Sequence, residues 1–586
     1  MSARNSLLLL LIPLVAMLAP IPSMSQAATT SSTLDQTYEH KDTRDLVVLV
    51  NDAADLIQAK GEAGFAELRA AGSRWRQEDT YIFVLDPQGN MLVHPDPSLE
   101  GVNVIDLKDV NGKPIIRGLI DSTTATLNKQ AGWYHYEWTV PHGLLPRWKS
   151  SYVRLVTAPS GQQYIVGAGI YNDRMERAFV VDMVNNAVAQ VEKDPDAAFT
   201  LFHDPKGPYL VKNAYIFVVK PNGVEIVNPA FPNLEGVSLR NWKDTQGKYG
   251  IREMLDVVKR NGSGWVDYMW PKPGESISTL KSAYVAKAKM GNDWVVVGSG
   301  VYLADAPKAP ATTTMTAPEL MAFVRDGAAL LEQQGEKAYP QFRKKDAKWF
   351  HGNTYIFIWN MDGKRILHAA DSSKEGQNDI EAKDVHGRPY GRMFVEAANS
   401  PAGEGWVHYM YPEPGGIFPT WKSTFVKRVT YPDGNQYIIG SGIYNMQMDK
   451  AFVEDVVNRA SAVIANEGSA GFVKLRDRTG PFLFMDTYVF VYTPDGVEVV
   501  NPGQPSLEGT NIIDLTDVNG KYVSRQLITT AMQNGSGWAE YYWYKPGDNT
   551  PTRKLTFVRT VQTGQDTYIV GSGMYTEDTA EIGSIR

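Results

Sequence analysis

The chain contains no cysteine in 586 residues. That absence removes disulfides, thiolate metal sites, iron–sulfur ligation and cysteine nucleophiles together. Positive charge is not in excess either: 58 Lys and Arg stand against 65 Asp and Glu, a formal net charge of −7. No global basic field draws nucleic acid or anionic lipid, so neither is expected as a partner. Beyond the N-terminal segment, no apolar run reaches the roughly 20 residues that span a bilayer. Nor do the pieces of an active site converge. The nine histidines include no His-Glu-x-x-His, no Gly-x-Ser-x-Gly elbow is present, and no Asp/Glu cluster has metal spacing. No enzymatic activity, metal or cofactor is expected, although a glycosidase-type carboxylate pair would leave no trace in sequence.

What is present begins with an address. One positive charge, Arg4, precedes the apolar run Leu7–Leu18, two prolines (Pro20, Pro22) and Ser25-Gln26-Ala27, a small-x-small cleavage site. This is the layout of a secretory signal peptide over residues 1–27. Cleavage near Ala27 is expected to release a soluble chain to the periplasm or the exterior. The lack of cysteine suits a bacterial periplasm.

The rest of the chain repeats four times. Each repeat opens with an alternating strand that runs from Tyr to a turn Gly eight residues on: Tyr81 to Gly89, Tyr215 to Gly223, Tyr355 to Gly363 and Tyr488 to Gly496. Five residues past that Gly stands His94, Asn228, His368 or Asn501. A Glu-Gly pair follows, and from its Gly the spacing holds at Asp109, Asp244, Asp384 and Asp517, then at Arg117, Arg252, Arg392 and Arg525. A Gly-Trp comes next (Trp133, Trp265, Trp406, Trp538), with Tyr three residues later (Tyr136, Tyr268, Tyr409, Tyr541). Lys lies sixteen after each Trp (Lys149, Lys281, Lys422, Lys554), and every repeat closes on Gly-x-Gly-x-Tyr. A constant Trp-to-Lys distance across four dissimilar loops means that one hairpin register is held, since a slip of one residue would turn the strand over.

First and third repeats lie 274 residues apart, second and fourth 273, and the His/Asn position alternates. The chain therefore looks like a duplicated two-domain block, with repeats at 40–172, 173–303, 318–445 and 446–577 and an Ala/Pro/Thr-rich linker at 304–317. Amphipathic segments of helical period precede the strands at Asp45–Ala71, Asp173–Val191, Pro318–Gln334 and Asp449–Glu467. A helix followed by about five antiparallel strands predicts an α+β unit with the helix packed across one sheet face.

In order, the helix, the Tyr-x-Phe-Val strand, the Gly turn, His94-Pro95, Leu-Glu-Gly-x-Asn, Asp-x-x-Gly-Lys, Gly-Trp-x-x-Tyr, the Lys and Gly-x-Gly-x-Tyr resemble the single Cache domain, type 2, of bacterial extracytoplasmic sensors. The resemblance covers nearly all of the chain after the leader. It implies four tandem PAS-like domains, each a long N-terminal helix on a five- to six-stranded antiparallel sheet with a small-molecule pocket. Such domains commonly serve chemoreceptors and histidine kinases, and short organic acids are typical ligands. The chain departs from that architecture in showing no flanking membrane helix and no signalling module. A signal is then expected to pass to a partner, such as a membrane-bound sensor or transporter.

A carboxylate site needs a cation, orienting neutral donors and an apolar concavity. The first repeat offers His94, Arg117, Trp133, Tyr136 and Lys149; the second, Asn228, Arg252, Tyr268 and Lys281. The third offers His368, Arg392, Tyr409 and Lys422; the fourth, Asn501, Arg525, Tyr541 and Lys554. Two alternatives stay open. Arg and Lys can instead pair structurally with Asp109 or Glu100, and His94 and His368 can be satisfied strand residues. Asn keeps a donor and an acceptor but cannot become charged, so even-numbered pockets should differ from odd ones. The Trp residues and the Gly-x-Gly pairs read better as core and as close helix–sheet packing than as a sugar platform or a nucleotide fingerprint. The expected function is an exported multi-domain binder of small organic acids for signalling or uptake. The alternative is an adaptor whose pockets are vestigial.

Mass spectrometry of the exported protein is expected to find a chain starting near Ala28. An intact Met1 in a membrane fraction would contradict cleavage.

Overall fold

The computed structural model describes residues 37–579, apart from 78, 125–129, 140–144, 172–173, 276, 304–314, 415, 547 and 549. The expected leader and most of the expected linker lie outside the described residues. Among the described residues, four antiparallel sheets share one topology. In unit 1 the strands are β1 (Phe83–Leu85), β2 (Met91–Val93), β3 (Ala131–Thr139), β4 (Pro146–Thr157) and β5 (Gln163–Tyr171), in the order β2-β1-β5-β4-β3. Unit 4 adds a short sixth strand, Leu483–Phe484.

The register is the same in every unit. Tyr136 lies opposite Lys149, Tyr268 opposite Lys281, Tyr409 opposite Lys422 and Tyr541 opposite Lys554. The constant spacing in sequence is thus a constant pairing in space, which puts a phenol and an ammonium side by side on one sheet face.

Long helices cover the other face: Lys41–Lys60, Arg177–Lys193, Ala317–Gln334 and Lys450–Glu467. In the first, Leu46, Val47, Val50, Ala53, Ala54 and Ile57 form the buried stripe that packs with Val84, Val166 and Trp133 of the sheet. The helix stops at Lys60 rather than running to Ala71. Gly61 takes φ +57° and its N–H turns back to the Ile57 carbonyl, a left-handed cap that glycine adopts without strain. Unit 2 ends its helix differently, with Asp194 capping the next one, Pro195–His203, through Ala197 N at 3.1 Å.

A second helix per unit was not expected from the sequence. Ile115–Thr124, Gly250–Asn261, Tyr390–Ala398 and Val523–Asn534 lie on the sheet face away from the long helix. Each sheet is therefore a middle layer between two cores. In unit 1 the second core gathers Tyr81, Phe83, Leu85, Met91, Ile115, Ile116, Leu119, Tyr134 and Tyr136.

Two recurrent carboxylates hold this layer in place. Asp109 accepts the N–H groups of Asn111 and Lys113, closing its own turn, and reaches across to Glu137 N on β3. Asp244, Asp384 and Asp517 make the matching links to Met269, Met410 and Tyr542. Glu100, Glu235, Glu375 and Glu508 accept the N–H of His94, Asn228, His368 and Asn501 in turn. Each Glu also pairs with a basic side chain from the segment after the long helix: Arg69, His203, Arg343 or Arg476.

The turn glycine after β1 is required on two counts. Gly89 has φ +86°, and a Cβ there would lie 2.8 Å from Ile105 Cβ. Gly72 shares the left-handed backbone (φ +72°) but has open space around it. Gly89→Ala is expected to cost about 2–4 kcal/mol, against about 1 kcal/mol for Gly72→Ala, because only the first adds overlap to backbone strain. The first urea transition of each variant measures the difference.

Candidate functional site

Beneath the short helix of unit 1 lies a cavity of about 20 Å³, little more than one water needs. Tyr81, His94, Tyr136 and Lys149 supply its polar wall, and Met91, Leu99, Leu107, Ile115, Ile116 and Leu119 its apolar one. A wider hollow of about 200 Å³, edged by Arg69, Arg76, Pro95 and Glu100, shares Tyr81 and His94 with it, so these two rings form the partition. Unit 3 has an equivalent cavity of about 20 Å³. Its wall is far more polar: Arg365, His368 and Lys422 with Tyr355, Tyr390, Tyr409 and Tyr411.

The four lysines are almost completely buried, with 1, 0, 2 and 1% exposure for Lys149, Lys281, Lys422 and Lys554. Burying an ammonium costs several kcal/mol unless partners offset it. In unit 1 Lys149 Nζ donates to Tyr81 Oη at 2.8 Å and sits 5.0 Å from the centre of the Tyr171 ring. In unit 3 Lys422 Nζ donates to Tyr355 at 3.0 Å and Tyr444 at 3.1 Å. Among the described residues no carboxylate forms an ion pair with either. Asp109 is consumed by its turn and Glu100 by Arg69, so the structural pairing that the sequence left open is not made.

The histidines show why Asn alternates with them. Asp96 N donates to His94 Nδ1, and Asp371 N to His368 Nδ1, each at 3.0 Å. Asn228 Oδ1 and Asn501 Oδ1 accept from Phe231 N and Gln504 N in the same way. With Nδ1 accepting, the imidazole proton is on Nε2. Burial, reinforced by the neighbouring lysine, pushes His94 down to about 4 and His368 down to about 3, so both rings are neutral at pH 7.

Even units keep the same aromatic setting: Lys281 Nζ, which has no hydrogen-bond partner among the described residues, lies 4.2 Å from the centre of the Tyr215 ring, and Lys554 Nζ 4.1 Å from that of Tyr488. Two residues past the turn glycine, Glu225 and Glu498 stand where units 1 and 3 have Met91 and Arg365. Asn228 Nδ2 donates to Glu225 at 2.8 Å, and Asn501 Nδ2 to Glu498 at 2.7 Å. Burial pushes Lys281 and Lys554 down and both Glu residues up; Glu225 opposes the shift of Lys281, Asp486 and then Glu498 that of Lys554, and the Asn amide and then the lysine that of each Glu. These units thus carry their own carboxylate.

Two groups of expected site residues lie elsewhere. Arg117, Arg392 and Arg525 project from the outer face of the short helix, more than half exposed, and pair with Asp106, Glu381 and Asp514. Arg252 is likewise turned outward, to Asn241 and the Arg240 carbonyl. Charge on a helix stays in water wherever its stripe permits. Trp133 faces the long helix, 4.5 Å from Phe179, because three residues along a strand separate it from Tyr136 and place the two on opposite faces. Tyr136, Tyr409 and Tyr541 are buried on the cavity face and bonded to Ser151, Thr424 and Thr556; Tyr268 is buried beside Trp270.

The Gly-x-Gly pairs are also on that face. A Cβ at Gly167 would overlap Phe83, and one at Gly169 the Lys149 stem, with Gly298, Gly440 and Gly571 and then Gly300, Gly442 and Gly573 repeating the pattern. They make room for the lysine rather than for the long helix. The opening tyrosines, the closing tyrosines and Arg365 went unassigned in sequence. Fourfold recurrence marked the tyrosines; nothing marked Arg365.

The Cache domain profile matches residues 77–176, 336–480 and 474–582, and the Single Cache domain 2 profile matches 184–315. The chain belongs to the Cache family. Over 93 residues it is 41% identical to the sensor histidine kinase MctS of Rhizobium johnstonii, covering 16% of this chain and 20% of that protein. Over 80 residues it is 36% identical to the methyl-accepting chemotaxis protein McpP of Pseudomonas putida, 14% of each. The chain thus spans a fifth or less of either relative. A solved Cache chemosensory domain described for carboxylic acid recognition is 34% identical, covering 19% of this chain and 74% of that one, with a TM-score of 0.18. Cache domains are extracytoplasmic sensor modules. Among the described residues no helix is long and apolar enough to cross a membrane.

His368 gives a test of the buried neutral ring. Its folded pKa is depressed to about 3, so between about pH 6.5 and 3 the unfolded chain takes a proton that the folded one refuses, and stability falls as pH falls. At pH 5 this penalty is about 2 kcal/mol. His368→Asn, which keeps an acceptor for Asp371 N, is expected to recover it at pH 5 relative to pH 8 in urea midpoints. An equal change at both pH values would contradict a neutral buried ring.

Proposed function

We propose that this protein is an exported Cache-domain receptor in which units 1 and 3 bind small carboxylates and report to a separate membrane partner. One observation carries the reading. Lys149 and Lys422 are buried ammonium groups at a cavity wall, bonded to phenols and, among the described residues, paired with no carboxylate. A ligand carboxylate completes that arrangement, with the Nε2–H of a neutral imidazole as second donor. At about 20 Å³ each cavity as it stands holds about one water, so an acid of a few heavy atoms enters only where the cavity widens, in unit 1 past Tyr81 and His94 into the hollow of about 200 Å³. Unit 1, with its aliphatic wall, favours an alkyl monocarboxylate. Unit 3, lined by Arg365 and four tyrosines, favours an acid with further polar groups.

Ligand at a hundredfold excess over Kd stabilises the folded state by about 2.7 kcal/mol. A panel of acetate, propionate, pyruvate, lactate and small dicarboxylates is expected to contain a compound that raises the melting temperature of the full chain. Lys149→Met is expected to lose about 1.5–3 kcal/mol of that compound's binding in unit 1. The same change is expected to leave the ligand-free protein about as stable, because the desolvation of a buried charge is removed together with its bond to Tyr81 and its ring contacts. A panel without any shift would leave the adaptor reading in its place.

A further inference from the structure

In units 1 and 3 the short segment that leads into the fourth strand does not fold over its own unit. In unit 3 it carries Ile417 and Phe418, followed by Pro419 and, four residues after Phe418, Lys422. Phe418 enters unit 2, where its ring lies edge-on at 4.9 Å from Trp270, 5.4 Å from Phe231 and 5.8 Å from Trp242. The Ile417 carbonyl accepts from Asn233 Nδ2 at 2.6 Å. Both residues are half-buried and pack against a core containing Tyr215, Phe217 and Tyr268. In unit 1 the corresponding residue is Leu145, followed by Pro146 and, four residues on, Lys149. Leu145 is buried in unit 4, in one core with Tyr488, Tyr541 and Trp543. Two residues further, Arg147 donates to Tyr544 Oη at 2.8 Å.

Trp270 and Trp543 stand two residues past the cavity tyrosine of their units, the position that lines the cavity in unit 1 as Trp138 and in unit 3 as Tyr411. Phe418 and Leu145 therefore share a core with the residue whose equivalent borders the cavity in units 1 and 3. Even units also place the buried Glu225 and Glu498 at the positions where Met91 and Arg365 line the cavities of units 1 and 3. The exchange is reciprocal, unit 1 into unit 4 and unit 3 into unit 2, which is the pattern of a twofold interface between two copies.

We infer that units 2 and 4 are sockets rather than receptors: Phe418 and Leu145, at the entry to the fourth strands of units 3 and 1, close the places equivalent to the ligand sites and lock the two halves of the chain together. The ligand side of this statement rests on the carboxylate reading; the socket side does not. The natural absence of cysteine makes the socket testable by thiol accessibility. In the full chain, Leu145→Cys is expected to react with N-ethylmaleimide at least about 100-fold more slowly than Val473→Cys, because labelling must await opening of the socket, and the half-buried Phe418→Cys at least about 10-fold more slowly. Val473 is 70% exposed. Equal rates would overturn the inference. Phe418→Leu with hydrogen exchange covers the case in which the cysteine variant does not fold. Faster exchange is expected in Gly250–Asn261 and Ser263–Pro271 of unit 2, with Tyr390–Ala398 of unit 3 unchanged; the reverse pattern would overturn it. For the ligand side, the melting shift produced by propionate is expected to survive Lys281→Met and Lys554→Met in full, and its loss in either would show an even unit acting as a receptor. If propionate shifts nothing even in the unmodified chain, the carboxylate reading fails for this acid while thiol labelling still decides the socket.

Discussion

A lysine buried in the middle of a β-sheet is the constraint around which each unit is built. Water stabilises an ammonium more than a protein interior does, so the fold must supply neighbours for it or leave the group costly. Strand register sets a tyrosine directly opposite, a glycine on the next strand leaves room for the stem, and the opening tyrosine of the unit faces the head group. The recurrent Asp and Glu residues act one step further out. They tie turns to strands and thereby keep the layer beneath the short helix in place.

From this common frame the units take two directions. Units 1 and 3 leave the cation with phenols and a neutral imidazole, so its charge is directed at a cavity. Units 2 and 4 bring in a buried glutamate held by an asparagine, which adds a carboxylate to the same layer of the unit. Replacing His by Asn preserves the acceptor that the following turn needs while freeing an amide donor for that glutamate. One substitution thus serves both the local turn and the change of role.

The two halves are joined by the same element that carries the site. β4 of unit 1 holds Lys149, and its leading end reaches unit 4; the matching strand of unit 3 holds Lys422, and its leading end reaches unit 2. Within each half, contacts are of another kind. His408 stacks on Phe484 at 4.0 Å and Arg388 donates to the Gly480 carbonyl at 2.8 Å, while in unit 1 His135 lies 4.9 Å from Phe179 of the next unit. Odd units therefore spend their sheet faces on the following neighbour and the entry to their fourth strands on the other half.

The sequence by itself determined the repeat, the strand and turn positions, the hairpin register and the lysine. Each of these depends on distances along the chain: Tyr to Gly, Trp to Lys, or glycine at a left-handed turn. Facing was legible only where period was applied strictly. Trp133 and Tyr136, three apart on one strand, had to point oppositely, and the arginines sat on a short helix whose existence no spacing announced. Tertiary structure alone decided the rest. That Arg365 shares a cavity with Lys422 depends on β-strands brought together over tens of residues. That Phe418 closes unit 2 and Leu145 unit 4 depends on contacts between halves of the chain. An apolar residue there looks the same in sequence whether it covers its own unit or enters another, because burial energy records how much surface leaves water and not whose surface covers it.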